Sequence, residues 1–306
     1  MKISVFKLIK NKKKIFFISS FLLLLSLTGI IVSSLSPSIK RPINMGMDFL
    51  GGNEIRIERL CSSRCSEIRS DEIISKLRNL TNNNLSKNIT FQIQNDNKLI
   101  SVRTPFISLE ESENLLQDIN KIVGPLDFDS KSSRSIGPKL GKRLLLNGSI
   151  SLVISLIAIS IYLSIRFDKR FALLALAALF HDLFIVFGIF SWLGILISVE
   201  VNSLFAVSLL TIAGYSVNDT VVIFDRIREN LKISNKKNIN QTIELSVNES
   251  IRRTIFTSLT TLIPLITLIL FGSYTLFWFS VSLALGIIIG SYSSILLAPS
   301  LLLEDK

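Results

Sequence analysis

An ionisable side chain inside a hydrocarbon layer can bind and release a proton, and Asp219 is placed for that chemistry. It lies in the otherwise apolar stretch Ser203 to Phe224, in the run Gly214-Tyr215-Ser216-Val217-Asn218-Asp219-Thr220. A carboxylate at the centre of a membrane helix costs roughly 2.5–3.5 kcal/mol even on lenient insertion scales, so it needs a partner or a water-lined path. The bland alternative is a buried acid that only holds helices together. Thr211, Tyr215, Asn218 and Asp219 follow i, i+4, i+7 and i+8 spacing, which predicts one polar face. Asp225 and Arg226 mark the helix end, about 9 Å beyond Asp219 at 1.5 Å per residue.

Two other stretches carry supporting polarity. Arg252, Arg253 and Thr254 open a later apolar segment, followed by Thr257, Ser258, Thr260 and Thr261. Arginine at such an end is commonly a snorkelling anchor, but hydroxyl-rich turns beyond it can also relay protons. His181 and Asp182 sit together mid-span, as a polar path or as a hydrogen-bonded brace between helices. Gly286 and Gly290 make a small-xxx-small pattern for close helix packing.

The elements that must hold these residues are membrane spans. Hydrophobic residues make up 48% of 306 positions against 19% charged, and mean hydropathy is +0.51. Apolar runs of about 20 residues, the length that crosses the hydrocarbon core, occur at Ile15 to Leu35, Leu145 to Ile165, Phe171 to Trp192, Ser203 to Phe224, Thr254 to Gly272 and Phe277 to Leu297. The net charge of +11 does not indicate nucleic acid, because the basic residues fall on alternate connections. Lys10 to Lys14, then Arg166, Lys169 and Arg170, then Arg226 to Arg253 with Lys232, Lys236 and Lys237, form three basic groups, and Gly194 to Asn202 and Ser273 to Thr275 contain none. The positive-inside rule therefore predicts cytoplasmic termini, with an exported segment from Ser36 to Arg143. No Ala-x-Ala site follows the first span, which reads as a retained signal anchor.

The sequence thus predicts three regions. Residues 1–35 are a cytoplasmic N-terminus and the first helix, 36–143 an exported domain, and 144–306 helices 2–6 with a cytoplasmic loop near 225–253. In the exported domain, alternation at Ile55 and Ile57 and at Ile89, Phe91 and Ile93 reads as strand, as does Leu99 to Thr104 after an Asn95-Asp96-Asn97 turn. Ile73, Ile74, Leu77 and Leu80 have helical spacing after Ser70 and Asp71; Leu115, Leu116, Ile119 and Ile122 do so after a capping box from Ser108 to Glu111. With a last strand near Leu126 to Ser133, the order is that of an α+β ferredoxin-like domain. It shows no catalytic constellation, so the chain reads as a non-enzyme. Cys61 and Cys65 are the only cysteines, close enough that local geometry decides their pairing, and with the sole histidine in a span no metal site is expected.

At these residues the chain resembles the SecF family, the smaller of the paired SecD and SecF membrane subunits that assist protein export. Gly46-Met47-Asp48-Phe49-Leu50-Gly51-Gly52 and Ile136-Gly137-Pro138-Lys139-Leu140-Gly141 are similar to family motifs flanking the exported domain, and Gly214 to Asn230 closely resembles the family signature. The later segments Arg253-Thr254, Thr257 to Thr261 and Gly286 to Ser294 match in register. The resemblance implies an RND-like six-helix half working with SecD beside the SecYEG translocon on a translocating preprotein. It implies H+ as the coupling ion, Asp219 and Arg253 in the proton pathway, and a bacterial plasma (inner) membrane, with a thylakoid membrane as the alternative. Asn218, His181, Asp182, Ser258, Thr260 and Thr261 are the candidate supporting residues; no other cofactor is expected, and membrane lipids surround the spans. The competing readings are a SecD subunit, which normally has a larger exported domain, an RND-type small-molecule exporter subunit, and a membrane scaffold without proton coupling.

Overall fold

The computed structural model describes residues 7–37, 39–61, 65–80, 89–94, 97–234 and 238–303. Backbone contacts divide the chain into two units, Met45–Asn147 and the remainder.

The smaller unit is a four-stranded antiparallel sheet. In chain order it has the short helix α2 at Met47–Leu50, then β1 at Gly52–Arg59, α3 at Ser70–Leu80, β2 at Thr90–Gln94, β3 at Leu99–Thr104, α4 at Leu109–Val123 and β4 at Leu126–Ile136. The sheet order β2-β3-β1-β4 places both helix crossovers in a split βαβ arrangement. Alternation along β1 sends Ile55 and Ile57 into a core with Ile73, Leu77, Ile100, Val102, Leu116 and Ile119. The opposite face carries Glu54, which accepts from Arg103 Nε at 2.9 Å, Arg56 Nη2 at 3.3 Å and Ser101 Oγ at 3.2 Å. Burial raises the Glu54 pKa, but Arg103 and Arg56 outweigh it and hold the carboxyl below its ordinary value.

Local chemistry fixes the ends of these elements. Ser108 caps α4 by accepting from Glu111 N, while Glu111 Oε2 accepts from Ser108 N at 2.9 Å. Gly52 has φ +145°, and a Cβ there would sit 2.5 Å from Thr104 O, so β1 can enter the sheet only with glycine at this point. β4 runs three residues past the expected Ser133, because Gly52 to Glu54 still pair with Arg134 to Ile136. Asn95 and Asp96 of the expected turn lie outside the described residues, as do Lys236 and Lys237. Cys61 and Cys65 form a disulfide.

The larger unit is helical. Six helices among the described residues are long and apolar enough to cross a membrane, and the chain is a multi-pass helical membrane protein. We label them α1 (Leu8–Leu35), α5 (Pro138–Arg166), α6 (Lys169–Ile197), α7 (Ser203–Ile233) and α8 (Ile239–Phe271), with α9 (Tyr274–Tyr292) continuing through a π-helical turn at Ser293–Leu297 into α10 at Ala298–Leu302. α6 lies against α1 and α7, and α9 against α7 and α8. Glycines set the close approaches. A Cβ on Gly188 of α6 would meet Ser26 Cβ at 2.2 Å, and Trp192 Nε1 donates to Leu25 O on the same seam.

The helices outrun the apolar segments at both ends. The connection expected near 225–253 is mostly helix, because α7 extends to Ile233 and α8 begins at Ile239. The polar extensions pack on each other. Ile243 and Val247 are buried there, and Arg226 bonds Glu249 at 2.7 Å across the pair. α5 buries none of its apolar window within the chain. Its Arg166 end is tied to Asp225 of α7 at 2.6 Å.

Candidate functional site

α7 is the spine of the polar region, capped at its start by Asn202, whose side chain accepts from Phe205 N. The expected polar face divides along its length. Thr211 and Asn218 are exposed and Tyr215 is half-buried, whereas Asp219 is only 3% exposed. One residue along a helix is a 100° rotation, enough to put Asn218 outside and Asp219 inside. Oδ2 of Asp219 has no hydrogen-bond partner among the described residues. An unmade bond at a buried carboxylate is costly, so this oxygen calls for a donor from outside the described residues.

α8 supplies the facing wall. Tyr215 OH donates to Ser258 Oγ at 3.3 Å, and Ser258 is bonded to Ser291 Oγ at 2.6 Å. Thr254, one turn before Ser258, is buried, and its hydroxyl, like Asp219 Oδ2, has no partner among the described residues. Thr260 and Thr261 instead donate to Thr257 O of their own helix, and the structure does not bring them to the acid. Arg253 is exposed and lines a cavity of about 540 Å³ with Val222, Asp225, Arg226, Glu229, Glu249 and Ser250. Of these lining residues Val222 is one turn along α7 from Asp219, which does not itself line the cavity. No ion pair joins Arg253 to Asp219 among the described residues; the guanidinium acts on the carboxylate through its field.

His181 and Asp182 form a second cluster on α6. Asp182 is fully buried and accepts from Ser216 Oγ of α7 and Ser293 Oγ of the π-helical turn, each at 2.6 Å on Oδ2. Its Oδ1 is 2.9 Å from His181 Nδ1. Next to it, Ser294 Oγ is bonded to Thr220 Oγ1 at 2.8 Å. Three elements thus meet at one carboxylate, and Ser216 is three residues from Asp219.

The sequence reading did not single out Ser293, Ser294 or Tyr292. A signal for them exists. Gly286, Gly290 and Ser294 recur every four residues, as do Ser216 and Thr220 after Ile212, and rows of small or hydroxylic residues are surfaces that two membrane helices press together. A Cβ on Gly286 would lie 2.3 Å from Ile212, and one on Gly290 would lie 3.3 Å from Ser216.

Comparison with known proteins places this arrangement. The family model described as "Protein export membrane protein SecD/SecF, C-terminal" matches residues 115–305. The chain is 47% identical to a protein translocase subunit SecF of Prochlorococcus marinus over 306 residues, covering 98% of this chain and 95% of that one. It is 36% identical to the SecF subunit of Synechocystis sp., covering 98% and 93%. Among solved structures it is similar to SecDF, a translocon-associated membrane protein from Thermus thermophilus, with a TM-score of 0.79 and 26% identity. That match covers 99% of this chain and 39% of the SecDF chain, so this chain spans well under half the length of that protein. A SecDF structure in a super-membrane-facing form matches with a TM-score of 0.64.

Proposed function

The chain belongs to the SecD/SecF family of protein-export membrane proteins, and from that premise we propose that it is a SecF-type accessory subunit of the Sec machinery. It pairs with a SecD-type partner beside the SecYEG translocon and uses the proton gradient to promote movement of a preprotein across the membrane. The partner reading is supported by the solved SecDF chain, which this chain matches over 39% of its length. Export of preproteins, rather than of small molecules, is supported by the relatives named as translocase subunits and matched over almost their full length. The membrane is a bacterial plasma membrane, with a thylakoid membrane as the alternative, both termini are cytoplasmic, and residues 36–143 are the exported segment. H+ is the coupling ion, and the subunit performs no covalent chemistry.

One observation carries the proton reading: Asp219 is buried with Oδ2 unpartnered, one turn from a cavity that contains Arg253. Protonation of Asp219 removes its attraction to Arg253 and gives the carboxyl an O–H that needs an acceptor, so the packing of α7 on α8 changes with proton occupancy. One charge moved through 100 mV releases roughly 2.3 kcal/mol, enough to bias a two-state rearrangement but not to drive it from one extreme to the other.

The test is preprotein export into inverted vesicles that hold the partner and translocon, measured with and without an ionophore. Asp219→Asn keeps size and hydrogen bonding and removes the titrating charge. It abolishes the ionophore-sensitive part of export while copurification with the partner is retained. Arg253→Met does the same, and Arg252→Met, at an exposed position outside the cavity lining, has a smaller effect. Wild-type ionophore sensitivity in Asp219→Asn refutes the coupling role.

A further inference from the structure

The chain has a single histidine, and its ring is almost fully enclosed. His181 is 5% exposed, and Nε2 has no hydrogen-bond partner among the described residues. The other ring nitrogen, Nδ1, faces Asp182 Oδ1 at 2.9 Å. Asp182 Oδ2 accepts from Ser216 Oγ and from Ser293 Oγ, each at 2.6 Å; the Ser293 hydroxyl is also 3.1 Å from Gly290 O, and its one hydrogen goes to the shorter contact. An oxygen accepting two O–H groups is the unprotonated oxygen of its carboxyl. The proton between Asp182 and His181 then belongs to Oδ1 or to Nδ1.

Burial separates the two alternatives. With the proton on Oδ1, the neutral imidazole must carry its own hydrogen at Nε2, which buries an N–H donor with nothing to receive it. With the proton on Nδ1, Asp182 is an ionised carboxylate with three donors, and Nε2 presents a lone pair. The second arrangement satisfies every donor in the cluster.

We infer that His181 and Asp182 form a second proton-binding site, in which Nε2 of His181 takes up the proton and the Asp182 carboxylate, fixed by Ser216 and Ser293, neutralises the resulting imidazolium. The step balances: one proton adds to the Nε2 lone pair, no bond to carbon changes, and the pair goes from a net charge of −1 to zero. A buried pair that becomes neutral on protonation is cheaper to hold in a membrane than an isolated charge.

Helix register puts a pair of hydroxyls level with His181. Gly188 on α6 packs on Ser26 of α1, and Trp192 packs on Gly29, so the two helices run side by side in the same direction. Seven residues back along both, about 10.5 Å, His181 is level with Ser19. Ser19 Oγ is bonded to Tyr292 OH at 3.0 Å, and Tyr292 is the residue before Ser293. The titratable groups brought by the packed elements are few. The charged residues of α1 are the lysines of its first two turns, of which Lys12 Nζ donates to Leu303 O; α7 carries Tyr215 and Asp219, with its other charged residues beginning at Asp225; α9 carries Tyr274 and Tyr292; the π-helical turn and α10 carry none.

This inference rests on the proton-coupled reading of the membrane unit, yet its test needs neither export nor a gradient. The full chain, labelled with 15N-histidine and held in lipid nanodiscs, gives imidazole signals from His181 alone. The expected spectrum at about pH 8 shows one protonated and one bare nitrogen, with the protonated one coupled to Asp182. By about pH 5 both nitrogens are protonated. Asp182→Asn, which removes the counter-charge, loses the second protonation over that range, and Asp219→Asn retains it. A hydrogen on Nε2 at every pH, or a bare Nε2 that persists to about pH 5, overturns the proposal. The wild-type titration decides the matter alone, so a failure of Asp182→Asn to fold does not leave it undecided. Failure of the export test at Asp219 with an intact His181 titration would sink the coupling reading and leave the proton site standing.

Discussion

Gly286→Ala should loosen the bundle at the seam that carries both acid clusters. The added Cβ would lie 2.3 Å from Cδ1 and Cγ1 of Ile212 and 2.9 Å from Cγ2. Ile212 is 1% exposed on α7. A β-branched side chain in a helix keeps one χ1 rotamer in about 90% of cases, so it does not swing aside. Restoring ordinary carbon contact near 3.5 Å requires α9 to retreat by about 1 Å, and overpacking of this kind costs about 1–3 kcal/mol. Alanine is the better helix former by about 1 kcal/mol, but that gain is small here, since a membrane helix stays helical when the bundle comes apart. The assay is detergent-titrated unfolding followed by tryptophan fluorescence, because Trp278 of α9 stacks edge-on with Phe190 of α6 at 6.2 Å. Ile212→Ala removes all three clashing atoms, so the double variant should recover about 0.5–3 kcal/mol relative to the sum of the single changes. Equal stability of Gly286→Ala and the parent, or an unchanged cost in the Ile212→Ala background, refutes the reasoning.

The unit 45–147 gives two further expectations. Glu54 has its pKa held down in the folded state, so its contribution is fully present above the unfolded carboxylate value and is lost as pH falls through the lower folded value. Urea unfolding of the isolated unit between about pH 6 and pH 3 should therefore show a loss of stability that is smaller in Glu54→Gln; identical pH profiles would contradict it. Replacing Cys61 and Cys65 together with Ser should lower the stability of that unit only modestly, because a bond across a separation of 4 residues closes little chain entropy. Failure of the double variant to fold would overturn this.

The six spans were legible because about 20 consecutive apolar residues have few other uses. Their true lengths were not. Apolarity ends where lipid ends, but Arg226, Asn230, Ser246 and Glu249 continue helices by bonding one another, with Asn230 Nδ2 donating to Ser246 Oγ and Glu249 Oε2 at 3.0 Å. Periodicity likewise revealed the sheet and the Ser108 cap, which are local. It placed Asn218 and Asp219 on one face, since spacing specifies an angle and not which neighbour covers it. The serines around Asp182 were hidden for the same reason. A hydroxyl at one end of the chain and a carboxylate 111 residues earlier leave no mark of their meeting in either segment.

The two buried acids of the membrane unit differ in what surrounds them, and the difference assigns their parts. Asp182 accepts from Ser216 and Ser293 and pairs with His181, so every change in its proton occupancy must move or neutralise a bonded neighbour. Asp219 has an oxygen without a donor and a cavity one turn away. A carboxyl in the first setting is held in place by its bonded neighbours, whereas one in the second has an oxygen for which the described residues supply no donor. Ser216 and Thr220 flank Asp219 on α7 and are both tied into the Asp182 side of the bundle, Ser216 directly and Thr220 through Ser294. A shift of α7 driven by protonation of Asp219 therefore strains bonds that α6 and the π-helical turn hold in place. On the proposed coupling, the gradient acts at Asp219, and the bonds around Asp182 set how far α7 can follow.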